Sequence, residues 1–400
     1  MVTVDEAEKI ILQQCKDFGT EIFSIDNCLG KVLAEDILAD RDLPAFNSVI
    51  MDGIAINYEA FKNGTRSFKI KATQPAGAQP IDINSNDECI EIMTGAVLPS
   101  TTNTIIPYEV IEIKNGAATL KTEVVSINQY IHQKGKDKKQ NEILVEANQF
   151  IIPTIISIAA TVGKTALHLK KAPGIIIIST GDELVEINEM PTPFQIRRSN
   201  NYTLQAALKQ YYVDADMLHL PDEQSIIEKE LQRCIDKYDV IILSGAVSMG
   251  KFDYVPAALE KLQVKKLFHK VQQRPGKPFW FGIHEKGVLV FAFPGNPVST
   301  FMCFQRYFLS WLKTSWQVKT NKSYAILNDD FIFKPTLQYF LQVKLYINEK
   351  GELLANPVEG NGSGDFTNLL QADAFMELPL ERNEFKKGEV FPIWAFKQML

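Results

Sequence analysis

The alternation of hydrophobic and polar positions changes rhythm along the chain. In "MVTVDEAEKIILQQC", Ala7, Ile10, Ile11 and Cys15 recur at helical spacing behind Thr3 and Glu6, a pair placed for a capping box. This predicts an opening helix whose apolar face packs. From about Arg41 to Asp137 the helical period gives way to short β-branched runs: "SFKIKA", "ECIEIM", "NTIIPYEVIEI" and "KNGAATLKTEVV". Asn115-Gly116 is placed to turn a hairpin. The charged stretch "GKDKKQNE" reads as a solvated loop. "PTIISIAATVG" then reads as a helix, with Pro153 near its start and Gly163 at its end.

Beyond about Lys170 the pattern is strand, turn, helix, repeated. "GIIIIST" leads to Gly181, "DVIILSG" to Ala246 and "VLVFAF" to Pro294, while "SNNYTLQAALKQYY" and "YVPAALEKL" are helical. Near-continuous apolar strands alternating with helices predict a parallel sheet covered on both faces. After about Ser315 the texture returns to β, with Asn361 to Gly364 as a flexible turn. The fold class is therefore multidomain, α/β and β. Residues 1–40 with 138–170 form a helical linking domain, 41–137 an inserted β-rich domain, 171–315 the α/β domain and 316–400 a small β-domain. For the last, structural or interface roles are expected.

Composition narrows the function. A net charge of −6 argues against nucleic-acid binding without excluding a small anion held by local cations. The five cysteines are scattered without a CxxC, which points away from disulfides and structural zinc and towards a reducing compartment. The N-terminus lacks the basic and apolar regions of a signal peptide, and no apolar run reaches membrane-span length. A cytoplasmic location is expected.

Ligands of such sheets bind outside the carboxyl ends of the strands, where three polar turns fall. In "STGDELVE", Asp182 and Glu183 suit a hard cation or proton transfer, although either would also serve as a turn cap. "SGAVSMGKFDYV" offers Ser244, Gly245, Ser248 and Gly250 to an anion, with Asp253 at the next helix; it is no Walker A sequence. In "FPGNPVS", Pro294, Gly295, Asn296 and Pro297 form a rigid corner before a helix, whose first N–H groups favour an anion. "HKVQQRPGKPFWFG" adds Lys270, Arg274 and Lys277; four residues apart, Lys270 and Arg274 would share one face of a strand. Carboxylates, cations and anion-binding turns together suit phosphoryl or oxyanion chemistry with a metal.

These motifs in order, with "LPAFNSVIMDGIAI", "TGAVLP", Ser199-Asn200 and "GSG…LLQADAF", resemble the MoeA family, the molybdopterin molybdenumtransferases, which include the C-terminal domain of gephyrin. The resemblance spans nearly the whole chain. It implies a molybdopterin-binding α/β domain and a homodimer whose cleft lies between that domain and the inserted block of the partner. It also implies insertion of molybdate into adenylyl-molybdopterin with magnesium-dependent release of AMP, and dealings with other molybdenum-cofactor proteins or recipient apoenzymes. Family functional positions fall on Asp52, Thr94, Asp137, Glu183, Asp222, Asp253, Lys270, Lys277, Pro294 and Pro297, with Asp182, Glu183 and Asp253 as the carboxylates for a metal. Val49 and Ile50, His132, Phe194, Ala246, Lys251 and Arg274 depart from the family pattern; Arg274 replaces a point donor with a planar fork. The alternatives are an inactive gephyrin-like scaffold and a molybdopterin adenylyltransferase.

Overall fold

The computed structural model describes residues 1–245, 254–360 and 362–397. Of the residues singled out above, Ala246, Ser248, Gly250, Lys251, Asp253 and Asn361 lie outside that set. The chain divides into two compact units, one of Met1–Ala34, Asn148–Ile152 and Leu167–Leu400, the other of Glu35–Ala147 and Pro153–Ala166.

The larger unit opens with the expected helix, Val4–Leu12. Glu6 N–H donates to Thr3 Oγ1 at 3.2 Å and Thr3 N–H to Glu6 Oε2 at 2.8 Å, so the capping box satisfies two N-terminal donors. A six-stranded sheet forms the centre, in the order Ala215–Leu220, Ile175–Thr180, Val240–Ser244, Leu289–Phe293, Trp280–Ile283 and Lys265–His269. The first four strands are parallel. Because side chains alternate, Ile175, Ile177, Val240, Ile242, Leu289 and Phe291 enter one core. Ile176, Ile178, Ile241, Leu243, Val290 and Ala292 enter the other. Both faces are covered, which explains the unbroken apolar runs.

One expectation needs correction. Trp280–Ile283 is antiparallel to both neighbours, so the sheet is mixed. The connection from Ile283 to Leu289 is a tight hairpin, closed by His284 N–H to Val288 O at 2.9 Å. So short a link cannot make the crossover that a parallel pair requires.

The C-terminal residues form a small β-domain. Gln338–Ile347 pairs with Leu353–Pro357 and with Ala374–Leu378, and Ser323–Leu327 and Val390–Ala395 close the ring of pairings. Leu341, Val343, Ala355, Met376 and Phe391 fill its interior.

In the smaller unit a second six-stranded sheet runs Thr104–Pro107, Gly53–Ile56, Glu88–Ile92, Ser67–Gln74, Ala117–Leu120 and Ile111–Lys114. The hairpin at Asn115-Gly116 forms with both residues at positive φ, 51° and 76°, as a two-residue turn demands. The helix Pro153–Thr161 ends before Gly163, whose φ is +72°.

Candidate functional site

In the larger unit the ends of three parallel strands meet. Gly245 follows Ser244 with a φ of +102°, and its N–H donates to Phe293 O at 3.1 Å. Gly295 stands so close that a side chain there would sit 3.5 Å from the Gly245 Cα. A residue not assigned a site role in the sequence analysis ties this junction together. Asn200 opens the helix Asn200–Lys209, and its Nδ2 donates to Gly295 O at 2.7 Å and Ser244 Oγ at 2.8 Å. A longer contact, 3.4 Å, reaches Thr300 Oγ1. The Ser199-Asn200 dipeptide was the available signal, but its partners lie 44 and 95 residues away, beyond any local pattern.

The proline corner forms as the sequence suggests, with Asn296 preceding the helix Pro297–Cys303 and Pro297 in its first turn. Its donors are fewer than expected. Pro297 has no N–H, and Val298 N–H donates to Ser363 O at 3.2 Å, while Asn296 Nδ2 donates to Ser363 Oγ at 2.8 Å. The Gly362–Gly364 turn of the β-domain thus takes part of the place assigned to an anion. Among the described residues, the N–H groups of Gly295 and Asn296 have no hydrogen-bond partner.

The cationic segment also differs from the reading as one strand. Lys270 has a φ of +71°, which turns the chain after Lys265–His269. Gln273–Arg274 then pairs in parallel with Gln338 and Tyr339 of the β-domain. Lys270 and Arg274 therefore do not share a strand face. The segment closes on itself through Lys270 N–H to Phe279 O and Val271 N–H to Lys277 O, both 2.9 Å. Arg274 and Lys277 are exposed at its tip.

Arg274, Pro275, Val298, Gln342 and Ser363 line a cavity of about 270 Å³. Corner helix, cationic turn and β-domain thus form one concavity. The Gln342 Oε1 atom is buried without a hydrogen-bond partner among the described residues. A buried orphan acceptor carries a desolvation cost that a ligand donor would relieve.

At the other side of the junction, Gly181 has a φ of +131°, and a Cβ there would lie 2.4 Å from Glu183 Oε2. The missing side chain gives the Glu183 carboxylate room to fold back over the strand end. Asp182 Oδ1 accepts from Asp222 N–H at 3.1 Å, so it braces the adjoining turn, the capping role weighed from the sequence. The structure brings Asp182, Glu183 and Asp222 to neighbouring strand ends. Among the described residues no three His, Cys, Asp or Glu side chains form a ready-made metal cluster. A magnesium ion that keeps substrate phosphate and water needs only one or two carboxylates, which this strand end offers.

In the smaller unit Asp52 and Thr94 come together from 42 residues apart. Thr94 Oγ1 and N–H both donate to Asp52 Oδ1, at 2.7 and 2.6 Å. The hydroxyl first, then the amide, holds the Asp52 carboxyl below its ordinary pKa. Both bonds fall on one oxygen, which leaves Oδ2 for another partner. Gly53 is required by close packing, since a Cβ would lie 1.9 Å from Ile106 O. Nearby, burial first and Glu91 second push the Tyr108 phenol up to about 12, and its hydroxyl donates to Glu91 at 2.9 Å. The Asp137 carboxylate lies 2.8 Å from His132 Nε2 and accepts its N–H in the tautomer that carries one there, so the departure at His132 keeps a polar partner for this carboxylate. No helix among the described residues is long and apolar enough to cross a membrane.

Comparison with known proteins agrees with this architecture. The family model described as MoeA N-terminal region (domain I and II) matches residues 2–163. A probable molybdopterin binding domain matches 176–314, and the MoeA C-terminal region (domain IV) matches 324–396. A molybdopterin molybdenumtransferase from Synechocystis sp. is 37% identical, with 99% of this chain and 100% of the relative aligned. One of the same name from Haemophilus influenzae is 28% identical over the whole of both chains. A crystal structure of a MoeA protein from Pyrococcus horikoshii superposes with a TM-score of 0.85 at 26% identity, covering 99% of this chain and 100% of that one. With domain models matched in order along nearly its whole length and a full-length relative this similar, the chain belongs to the MoeA family.

Proposed function

We propose that this protein acts in molybdenum cofactor biosynthesis by inserting molybdate into adenylylated molybdopterin, with magnesium-dependent release of AMP. The observation that carries the reading is the concavity lined by Arg274 of the cationic turn, by Val298 of the helix that follows the proline corner and by Ser363 of the β-domain. Arg274 presents a planar fork of donors to that space, suited to a tetrahedral oxyanion such as the substrate molybdate. The N–H groups of Gly295 and Asn296 add neutral donors, held in place before the ligand arrives by the flanking prolines and the Asn200 clip on Gly295 O. Asp182 and Glu183 are the groups that would hold magnesium together with substrate phosphate. When bound, that ion neutralises charge developing on the departing AMP phosphate. Asp52, whose pKa the Thr94 hydroxyl and amide lower, is suited to remain ionised.

The test supplies purified protein with adenylyl-molybdopterin, molybdate and magnesium, following AMP release and formation of the molybdenum cofactor together. Coupled appearance of both supports the reading. AMP release without cofactor, or neither product, overturns it.

A further inference from the structure

The cationic turn is fastened from its buried side by two residues that the reading above does not use. Gln273, directly before Arg274, is fully buried, and Tyr307 is 1% exposed. The Tyr307 hydroxyl donates to Gln273 Oε1. Burial, partly offset by the neighbouring Arg306, raises the phenol well above its usual pKa, so it stays a donor. That fixes the amide: its oxygen faces Tyr307 and its nitrogen faces the turn. Gln273 Nε2 lies 3.3 Å from Gly276 O and 3.5 Å from Cys303 Sγ. Gly276, at a φ of +89°, lies against the helix Pro297–Cys303; a Cβ there would come within 2.6 Å of Cys303 Sγ and 3.0 Å of Met302 Cε. On its buried side, the turn that carries Arg274 and Lys277 is thus held by one amide, one hydroxyl and one absent side chain.

Tyr307 lies in a π-helical stretch, Phe304–Phe308, between Pro297–Cys303 and Leu309–Ser315. A π-turn changes which side chains face inward and is common near functional sites. Next to Tyr307, buried Arg306 is gripped by Glu8 at 2.6 and 2.9 Å and by Glu377 at 3.0 Å, which anchors this stretch to the opening helix and the β-domain. The helix that begins at the proline corner therefore also holds the cationic turn, one wall fixing the other.

We propose that Tyr307 and Gln273 are positioning residues for oxyanion binding: their hydrogen bond sets the cationic turn at the depth where Arg274 meets the ligand. The proposal rests on the oxyanion reading of the cavity. It is tested on the full-length protein with sodium molybdate as probe, measuring affinity by calorimetry and unfolding by a thermal melt. Tyr307→Phe keeps the ring and removes the donor. The double variant Tyr307→Phe/Gln273→Met removes both polar groups, so no buried acceptor is left orphaned. The single variant should lower the melting temperature and weaken molybdate binding about 10-fold or more. The double variant should recover most of the melting temperature while binding stays weak. Recovery of affinity along with stability would show a purely structural pair and overturn the proposal. So would wild-type affinity in the single variant. A wild-type protein that binds no molybdate removes the oxyanion reading itself, and the proposal with it.

Discussion

Asn200→Asp is the most demanding substitution for the site, because it keeps shape and replaces one donor group with an acceptor. Asn200 Nδ2 makes two short bonds, to Gly295 O at 2.7 Å and Ser244 Oγ at 2.8 Å. The serine hydroxyl can rotate and donate to the new carboxylate, so that contact survives. The carbonyl of Gly295 cannot donate, and an anionic oxygen would face it at hydrogen-bond distance. One lost bond is worth about 1 kcal/mol, and leaving two acceptors opposed adds about 1–3 kcal/mol. Relief comes most easily if the corner swings away, since Gly295 is exposed while the strand before it is buried. The expected loss of stability is therefore small, about 1 kcal/mol, and most of the strain appears as a displaced Pro294–Pro297 loop. A donor misplaced by about 1 Å is worth up to about 100-fold in rate. The assay is the ratio kcat/KM for AMP release, measured beside a thermal melt. Asn200→Ala gives the reference in which the clip is absent but nothing repels the corner; it should lose less activity than Asn200→Asp. Equal turnover in wild type and Asn200→Asp would refute the clip as an organiser of the site. A collapse of the melting temperature in step with activity would show that the amide serves the fold alone.

Thr94→Val removes the hydroxyl that contributes most to lowering the Asp52 pKa. The stability this interaction contributes is present above the ordinary Asp pKa of about 3.9 and lost as the pH falls through the lower folded value. The variant should therefore show Asp52 titrating at higher pH by carboxyl NMR, and an unmoved titration would refute the pairing. Gly53→Ala forces a Cβ onto Ile106 O, and with backbone as the obstacle it should cost about 3 kcal/mol or more, read as a lower denaturant midpoint. Light scattering at micromolar concentration should give about twice the 45.1 kDa chain mass. A fully active monomer would remove the homodimer that the family resemblance implies.

Local features were legible in the sequence because nearest neighbours decide them. The capping box at Thr3 and Glu6, the Asn115-Gly116 hairpin and the proline corner needed only backbone preferences and adjacent side chains. The three inner parallel strands of the central sheet were legible too, since strands buried on both faces must be apolar at every position. Motif order carried the family. Tertiary structure decided everything that depends on residues far apart meeting. Lys270 and Arg274 look like one strand until the positive φ at Lys270 and the pairing with Gln338 and Tyr339 divide them. The corner looks rich in free donors until Ser363, 65 residues on from Val298, occupies one of them. Asn200 was visible only as part of the Ser199-Asn200 motif, and Gln273 and Tyr307 gave no signal, because an amide or hydroxyl is unremarkable in sequence; only its partners, brought close by packing, give it a role. Propensity and periodicity fix elements, while the alignment of donors with acceptors across elements is settled when the cores close.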